Sequence, residues 1–276
     1  MTETEMSGTE MSGTGMPETG IPASDVTGIT MPGTELLATL LPPDVVAVEA
    51  FTDDPDAVLF PEEEATLARS VDKRRREFTT ARVCAHRALA GLGVPPAPVL
   101  RGPRGEPQWP SGVIGSITHC AGYRAAVVAR STDIVTVGID AEPNEVLPEG
   151  VLDQIALPEE HDWLGPLMHG DPAVHWDRLL FSIKESVYKA WFPLARRWLG
   201  FEDAAITVDP LGGTFSARLL VDGPVLPGGV PPGRGQRNHD LSALPEARVP
   251  ERLTGFTGRW LARNGLVITA ITVPGR

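Results

Sequence analysis

The chain has 276 residues, 42% of them hydrophobic, a formal net charge of −12 and two cysteines, Cys84 and Cys120. That length allows one large domain or two small ones with a real core. The acidity argues against a nucleic-acid partner, and two cysteines make neither a disulfide framework nor a cysteine-rich zinc site.

Residues 1–35 repeat a crude theme: Met6-Ser-Gly-Thr-Glu10, Met11-Ser-Gly-Thr-Gly15, Met16-Pro-Glu-Thr-Gly20. They hold six acids and no Lys or Arg, half of the net charge. Without apolar periodicity such a segment cannot offset its ordering entropy, so a disordered acidic tail is expected. It carries no signal-peptide pattern, and no later run reaches transmembrane length; the expectation is a cytoplasmic protein with no membrane contact.

The body starts near Glu35. Val45–Val48 reads as a strand, and Pro61-Glu-Glu-Glu64 supplies the acidic first turn of a helix. The stripe Leu67, Val71, Phe78, Ala85, Leu89, Leu92 continues that helix until Gly91 and Gly93 end it. Another face gathers Arg75, Arg82 and His86. Gly102–Pro110 is a turn-rich loop holding Arg104. Val113–Thr118, Arg124–Ala129 and Ile134–Ile139 are strands with tight connections. After Pro143 come helices over Leu147–Ile155, Glu159–Leu164 and Val174–Ala195. Two hairpins close the chain: Ala204–Val208 with Thr214–Val221 through Gly212-Gly213, and Gly258–Leu261 with Leu266–Val273 through Asn264-Gly265. Between them, 222–252 reads as a mobile Pro- and Gly-rich loop. The order is that of an α+β protein with two similar halves, 36–139 and 140–276, meeting near Asp140.

Two blocks carry chemistry. In Val137-Gly-Ile-Asp140-Ala-Glu142 the two acids are two apart on a strand and project to the same side, where they repel unless a cation lies between them. In Phe181-Ser-Ile-Lys184-Glu185-Ser-Val-Tyr-Lys189 a helix puts Glu185 and Lys189 on one face. Asp140, Glu142 and Glu185 suit magnesium, which binds a few carboxylates plus phosphate oxygens. Lys189 can neutralise charge on a phosphate leaving group, and Lys184 can touch the phosphate or simply be solvated. His119, with the hydroxyls of Ser116 and Thr118, is a candidate phosphate contact, the alternative being a histidine satisfied locally in its loop. Lys73, Arg74, Arg75, Arg76, Arg82, Arg87, Arg101 and Arg104 concentrate positive charge in one early stretch, and Arg74, Arg75 and Arg82 form a candidate phosphate clamp. A thiolate at Cys84 or Cys120 with His119 as base would describe a cysteine hydrolase, but no third orienting group is identifiable.

Arg74-Arg-Arg-Glu77-Phe78, Gly105-Glu-Pro-Gln-Trp109-Pro110, Gly115-Ser-Ile-Thr-His119-Cys120, Gly138-Ile-Asp140-Ala-Glu142 and Phe181-Ser-Ile-Lys184-Glu185-Ser-Val-Tyr-Lys189 occur in this order. With that ordered set the chain resembles the 4'-phosphopantetheinyl transferases, in the group that includes the enterobactin-synthetase-associated and actinobacterial enzymes. The resemblance implies two pseudo-symmetric halves with the active site between them, usually in a monomer. It implies transfer of phosphopantetheine from coenzyme A to a serine of an acyl, peptidyl or aryl carrier protein, releasing adenosine 3',5'-bisphosphate, often for secondary-metabolite synthases. It makes Asp140, Glu142 and Glu185 ligands of magnesium, or alternatively manganese. Glu185 is also a candidate base, and Lys189 assists the leaving phosphate. Arg74, Arg82, Arg104, His119 and Lys184 become contacts to coenzyme A. The alternatives are a magnesium-dependent phosphoesterase and a non-catalytic paralogue that binds coenzyme A or a carrier.

Overall fold

Alternation and burial decide the layers. In a computed structural model, which describes residues 35–68, 70–226 and 252–275, strand β1 (Val45–Ala50) is followed by helices α1 (Pro61–Ala65) and α2 (Asp72–Gly91). A two-stranded ribbon of β2 (Leu100–Arg101) and β3 (Pro107–Gln108) leads to β4 (Val113–Cys120), β5 (Tyr123–Arg130) and β6 (Ile134–Pro143). Helices α3 (Val151–Ile155), α4 (Pro158–Gly170) and α5 (Trp176–Ala195) precede the strands β7 (Ala204–Asp209), β8 (Thr214–Leu219), β9 (Gly255–Arg263) and β10 (Leu266–Pro274). The architecture is α+β, with antiparallel sheets in the orders β1-β5-β4 and β6-β10-β9-β8-β7.

The central strand β5 is buried from Tyr123 to Ala129 because both of its faces are covered. Ala126 and Val128 pack under α2 against Cys84, Ala85, Ala88 and Leu89. Ala125, Val127 and Ala129 join Val137, Ile139 and Ala141 of β6 and Ile268 of β10 in a second core. A third core forms where α5 lies on the five-stranded sheet, through Leu179, Ile183, Val187 and Trp191. Strand β6 therefore turns its odd-numbered residues toward the second core and Thr136, Gly138, Asp140 and Glu142 toward α5.

Two contacts fix that strand in place. A Cβ on Gly138 would lie 2.1 Å from the Ser186 carbonyl and 2.9 Å from the Ala190 methyl, so the absence of a side chain lets α5 sit on β6. Thr136 adds a hydrogen bond to the Ala190 carbonyl at 2.8 Å. On the other flank, β4 belongs to a different sheet from β6 yet is bonded to it through hydroxyls. Ser116 Oγ accepts from the Ile139 amide at 3.2 Å, and Thr118 Oγ1 accepts from the Ala141 amide at 3.1 Å.

Several elements differ from the sequence expectation. The single helix expected from Pro61 is two, because Glu63 turns inward. Its carboxylate accepts from the Phe60 amide, the Val99 amide and His86, at 3.1, 2.8 and 2.9 Å, and folds α1 back against α2. The helix expected at Leu147 starts only at Val151, since Pro148 and the left-handed Gly150 (φ +79°) form a turn. Part of the expected loop 102–110 is the strand β3. Both hairpins form as expected, with Asn264 and Gly265 at φ +54° and +74°. The expected tail falls outside the described residues apart from Glu35. Of the expected loop 222–252 only Asp222–Leu226 and Arg252 are described, and Val225 bridges Arg252.

Candidate active site

Helix α2, the β2–β3 ribbon and β4 face α5 across a cleft of about 530 Å³. One wall is basic: Arg74 and Arg82 from α2, Arg101 from β2, Arg104 from the loop beyond it, and His119 from the end of β4. The spacing of eight between Arg74 and Arg82 brings them to one side of α2. Arg82 is only 4% exposed, its guanidinium 4.3 Å from the centroid of the Phe78 ring, and Arg101 lies 5.2 Å from the same ring. Burial pulls Arg82 down to about 10, with Glu63 opposing and Arg101 adding to the shift, so it stays charged at neutral pH. Its Nε has no hydrogen-bond partner among the described residues. Burial also holds the His119 imidazole below its ordinary value, against the pull of Glu77.

Acids gather around Lys189, which lines the cleft with Glu185; Asp140 and Glu142 lie beside the cleft and not in its lining. Asp140, 4% exposed, accepts from Lys189 Nζ at 2.7 Å and from Thr118 Oγ1 at 3.2 Å, both on Oδ1. Its Oδ2 is buried with no partner among the described residues. Glu142 accepts from Arg178 Nη1 at 3.1 Å. Burial and then the nearby Asp140 push the Glu142 carboxyl up to about 7, although Arg178 and Lys189 oppose them. Glu185, which lines the cleft with Lys189, is raised by burial and by Asp140, with Lys189 opposing.

The structure thus brings together Arg74, Arg82, Arg104, His119, Glu185 and Lys189 along one cleft, with Asp140 bonded to Lys189 and Glu142 beside it. Other expectations are corrected. Lys184 is not in the cleft: its side chain is 2% exposed and its ammonium binds Glu160 at 2.8 Å. Arg75 leaves the expected clamp because it donates to the Leu67 carbonyl and pairs with Glu64, stitching α1 to α2. The Ser116 and Thr118 hydroxyls serve β6 and Asp140 instead of a phosphate. Among the described residues no three Asp, Glu, His or Cys side chains form a ready metal cage; Lys189 and Arg178 sit on two of the three expected ligands. Burial pushes both Cys84 and Cys120 up to about 12, which removes the thiolate that a cysteine hydrolase needs.

Sequence reasoning counted Arg101 in the basic stretch without giving it a role, and passed over Arg178 and Arg196. Arg101 belongs to the basic stretch, yet only the β2–β3 ribbon aims it at the Phe78 ring. Arg196 caps α5 at φ +52° and lines the cleft, with Glu106 at 3.8 Å. Arg178 lies seven residues before Glu185 and has no local signal.

A basic cleft that ends at a buried carboxylate–lysine cluster is built for an enzyme that handles a phosphate-bearing ligand. Comparison with known proteins agrees. Residues 62–129 match the 4'-phosphopantetheinyl transferase N-terminal domain, and residues 136–224 match the 4'-phosphopantetheinyl transferase superfamily. The chain is 53% identical over 241 residues to the 4'-phosphopantetheinyl transferase Svp of Streptomyces mobaraensis, covering 86% of this chain and 89% of that protein. It is 50% identical over 246 residues to PptT of Mycobacterium tuberculosis, covering 86% and 98%. Over 139 residues it is 34% identical to enterobactin synthase component D of Salmonella typhi, covering 49% and 55%. The chain belongs to the 4'-phosphopantetheinyl transferase superfamily, in its actinobacterial type, and is a transferase.

Proposed function

We propose that the chain takes the phosphopantetheine arm of coenzyme A and places it on a serine of an apo acyl, peptidyl or aryl carrier protein. The observation that carries this reading is the convergence at Glu185 and Lys189. Both line the basic cleft, and Lys189 reaches the buried Asp140. Arg74, Arg82, Arg104 and His119, joined by Arg101, bind the phosphates of coenzyme A in charge-assisted hydrogen bonds. This fixes the diphosphate in line with the incoming serine, and positioning is most of what phosphoryl transfer requires.

Asp140, Glu142 and Glu185 would hold magnesium, or alternatively manganese. The unpartnered Asp140 Oδ2 and the raised Glu142 and Glu185 are carboxylates short of positive charge, which fits a hard cation with oxygen ligands. When bound, the metal supplies charge neutralisation to the diphosphate. Glu185 accepts the serine proton as the serine oxygen bonds to the pantetheine-side phosphorus. The bond from that phosphorus to the bridging oxygen breaks, and Lys189 offsets the charge on the departing adenosine 3',5'-bisphosphate.

Intact mass of an apo-carrier protein after incubation with the chain, coenzyme A and magnesium tests this. A gain of one phosphopantetheine, lost with a chelator, is the expected result. Hydrolysis of coenzyme A without a carrier would favour a phosphoesterase. Binding without any transfer to several carriers would favour a non-catalytic role.

A further inference from the structure

Lys184 and Glu185 are neighbours on α5, and one residue turns about 100° around a helix, so the two cannot face the same way. Glu185 lines the cleft. Lys184 points instead toward the junction of α4, α5 and β7. An ammonium has three donors, and those of Lys184 have three acceptors: Glu160 Oε2 at 2.8 Å, the Phe201 carbonyl at 2.8 Å and the Ala204 carbonyl at 3.2 Å. No donor is left for a phosphate.

Glu160 is as fully engaged. It is completely buried; Oε2 also accepts from the Leu157 amide at 2.7 Å, and Oε1 accepts from the Ile206 amide at 2.8 Å. One closed network thereby joins the first turn of α4, the middle of α5, the 3-10 turn Phe201–Asp203 and β7. Burial pulls the Lys184 pKa down, and Glu160 pulls it back up. A buried ion pair gains little stability over an apolar pair of similar shape, whereas removing one partner leaves the other charge buried alone.

Resting on the function proposed above, we propose that Lys184 is a positioning residue: held by Glu160, it sets the rotation of α5 and so seats Glu185 and Lys189 against Asp140, without touching coenzyme A. The Lys184 network and the Lys189–Asp140 pair lie little more than one helical turn apart on α5, so a small rotation at the first displaces the second. Displacements near 1 Å in a catalytic constellation cost up to about a hundredfold in rate.

The test measures kcat for transfer and, separately, Kd for coenzyme A without a carrier, in Lys184→Met, Glu160→Gln and the double variant Lys184→Met/Glu160→Leu. Circular dichroism melts define a temperature at which each variant is folded. Lys184→Met and Glu160→Gln are expected to lower kcat by roughly ten- to a hundredfold while Kd stays within about twofold. The double variant leaves neither charge buried alone and should recover part of kcat. Coenzyme A binding weakened about tenfold by Lys184→Met, with no change in Glu160→Gln, would make Lys184 a ligand contact and overturn the proposal. A wild-type kcat in Glu160→Gln would overturn it too, and that variant decides alone if Lys184→Met does not fold. Wild-type protein that binds no coenzyme A would overturn both this inference and the function beneath it, which separates the two failures.

Discussion

Asp140 sits at the meeting point of three demands: a place inside β6, a bonded lysine and an oxygen with no partner among the described residues. Replacing it with Ala removes the acceptor of Lys189 and one of three carboxylates, and is expected to cut transfer by about a thousandfold. Intact-mass kinetics on an apo-carrier would show this, and a wild-type rate would remove Asp140 from the site. Its neighbour Glu142 gives a pH signature. An acid whose pKa is raised on folding takes up a proton in the folded state, so stability falls as pH rises from the ordinary carboxylate range to about 7. Glu63 acts in the opposite sense. Burial raises it, but the hydrogen bonds of His86, Val99 and Phe60 together hold it low, so its contribution is lost only as pH falls through that lowered value. With chelator present, the chain should lose more melting temperature between pH 6 and pH 8 than a Glu142→Gln variant, by about 3–5 °C, a comparison that cancels the opposite contribution of His119, held below its ordinary value. Saturating magnesium should erase that excess; an equal change in the two proteins without metal would count against the clustered charge. Most of these residues were legible because strand and helix spacings put their chemistry in ordered blocks. The direction of Lys184 was not, since the sequence places it beside Glu185 but does not show which partners surround it.

Elements carry the site through close approach. Gly138→Ala would press a methyl into the Ser186 carbonyl and the Ala190 methyl, and forcing extra volume into packed positions costs about 1–3 kcal/mol. For a chain of this size that lowers the melting temperature by roughly 2–4 °C per kcal/mol. Because α5 must lift from β6 to make room, kcat should fall with it. Loss of stability at an unchanged kcat would mean that α5 moves without its side chains. At this scale the sequence was readable where a period ran unbroken, as in α5 and the Asn264-Gly265 hairpin. It failed at α1, where Glu63 looks like an exposed first-turn acid but folds inward to bind Val99 and His86, distant in sequence.

For the molecule as a whole, charge is divided. A chain of net charge −12 gathers Arg74, Arg82, Arg101, Arg104 and Arg196 along one cleft, so binding of a polyanion there should be strongly screened. Raising NaCl from about 50 mM to about 500 mM should weaken the Kd for coenzyme A by roughly tenfold, measured by titration calorimetry. An affinity indifferent to salt would place the ligand elsewhere. The sequence by itself determined the α+β class, the strands and helices with clear periods, and the placing of Asp140 with Glu142 on one strand side and of Glu185 with Lys189 on one helix face, because these follow from local spacing and residue chemistry. Only the tertiary structure decided that β4 holds β6 through Ser116 and Thr118, that Arg101 and Arg196 join the cleft, and that Lys184 turns away from it. Those depend on which groups meet across long sequence separations, where burial requires every donor and acceptor to find a partner and local pattern does not say which one.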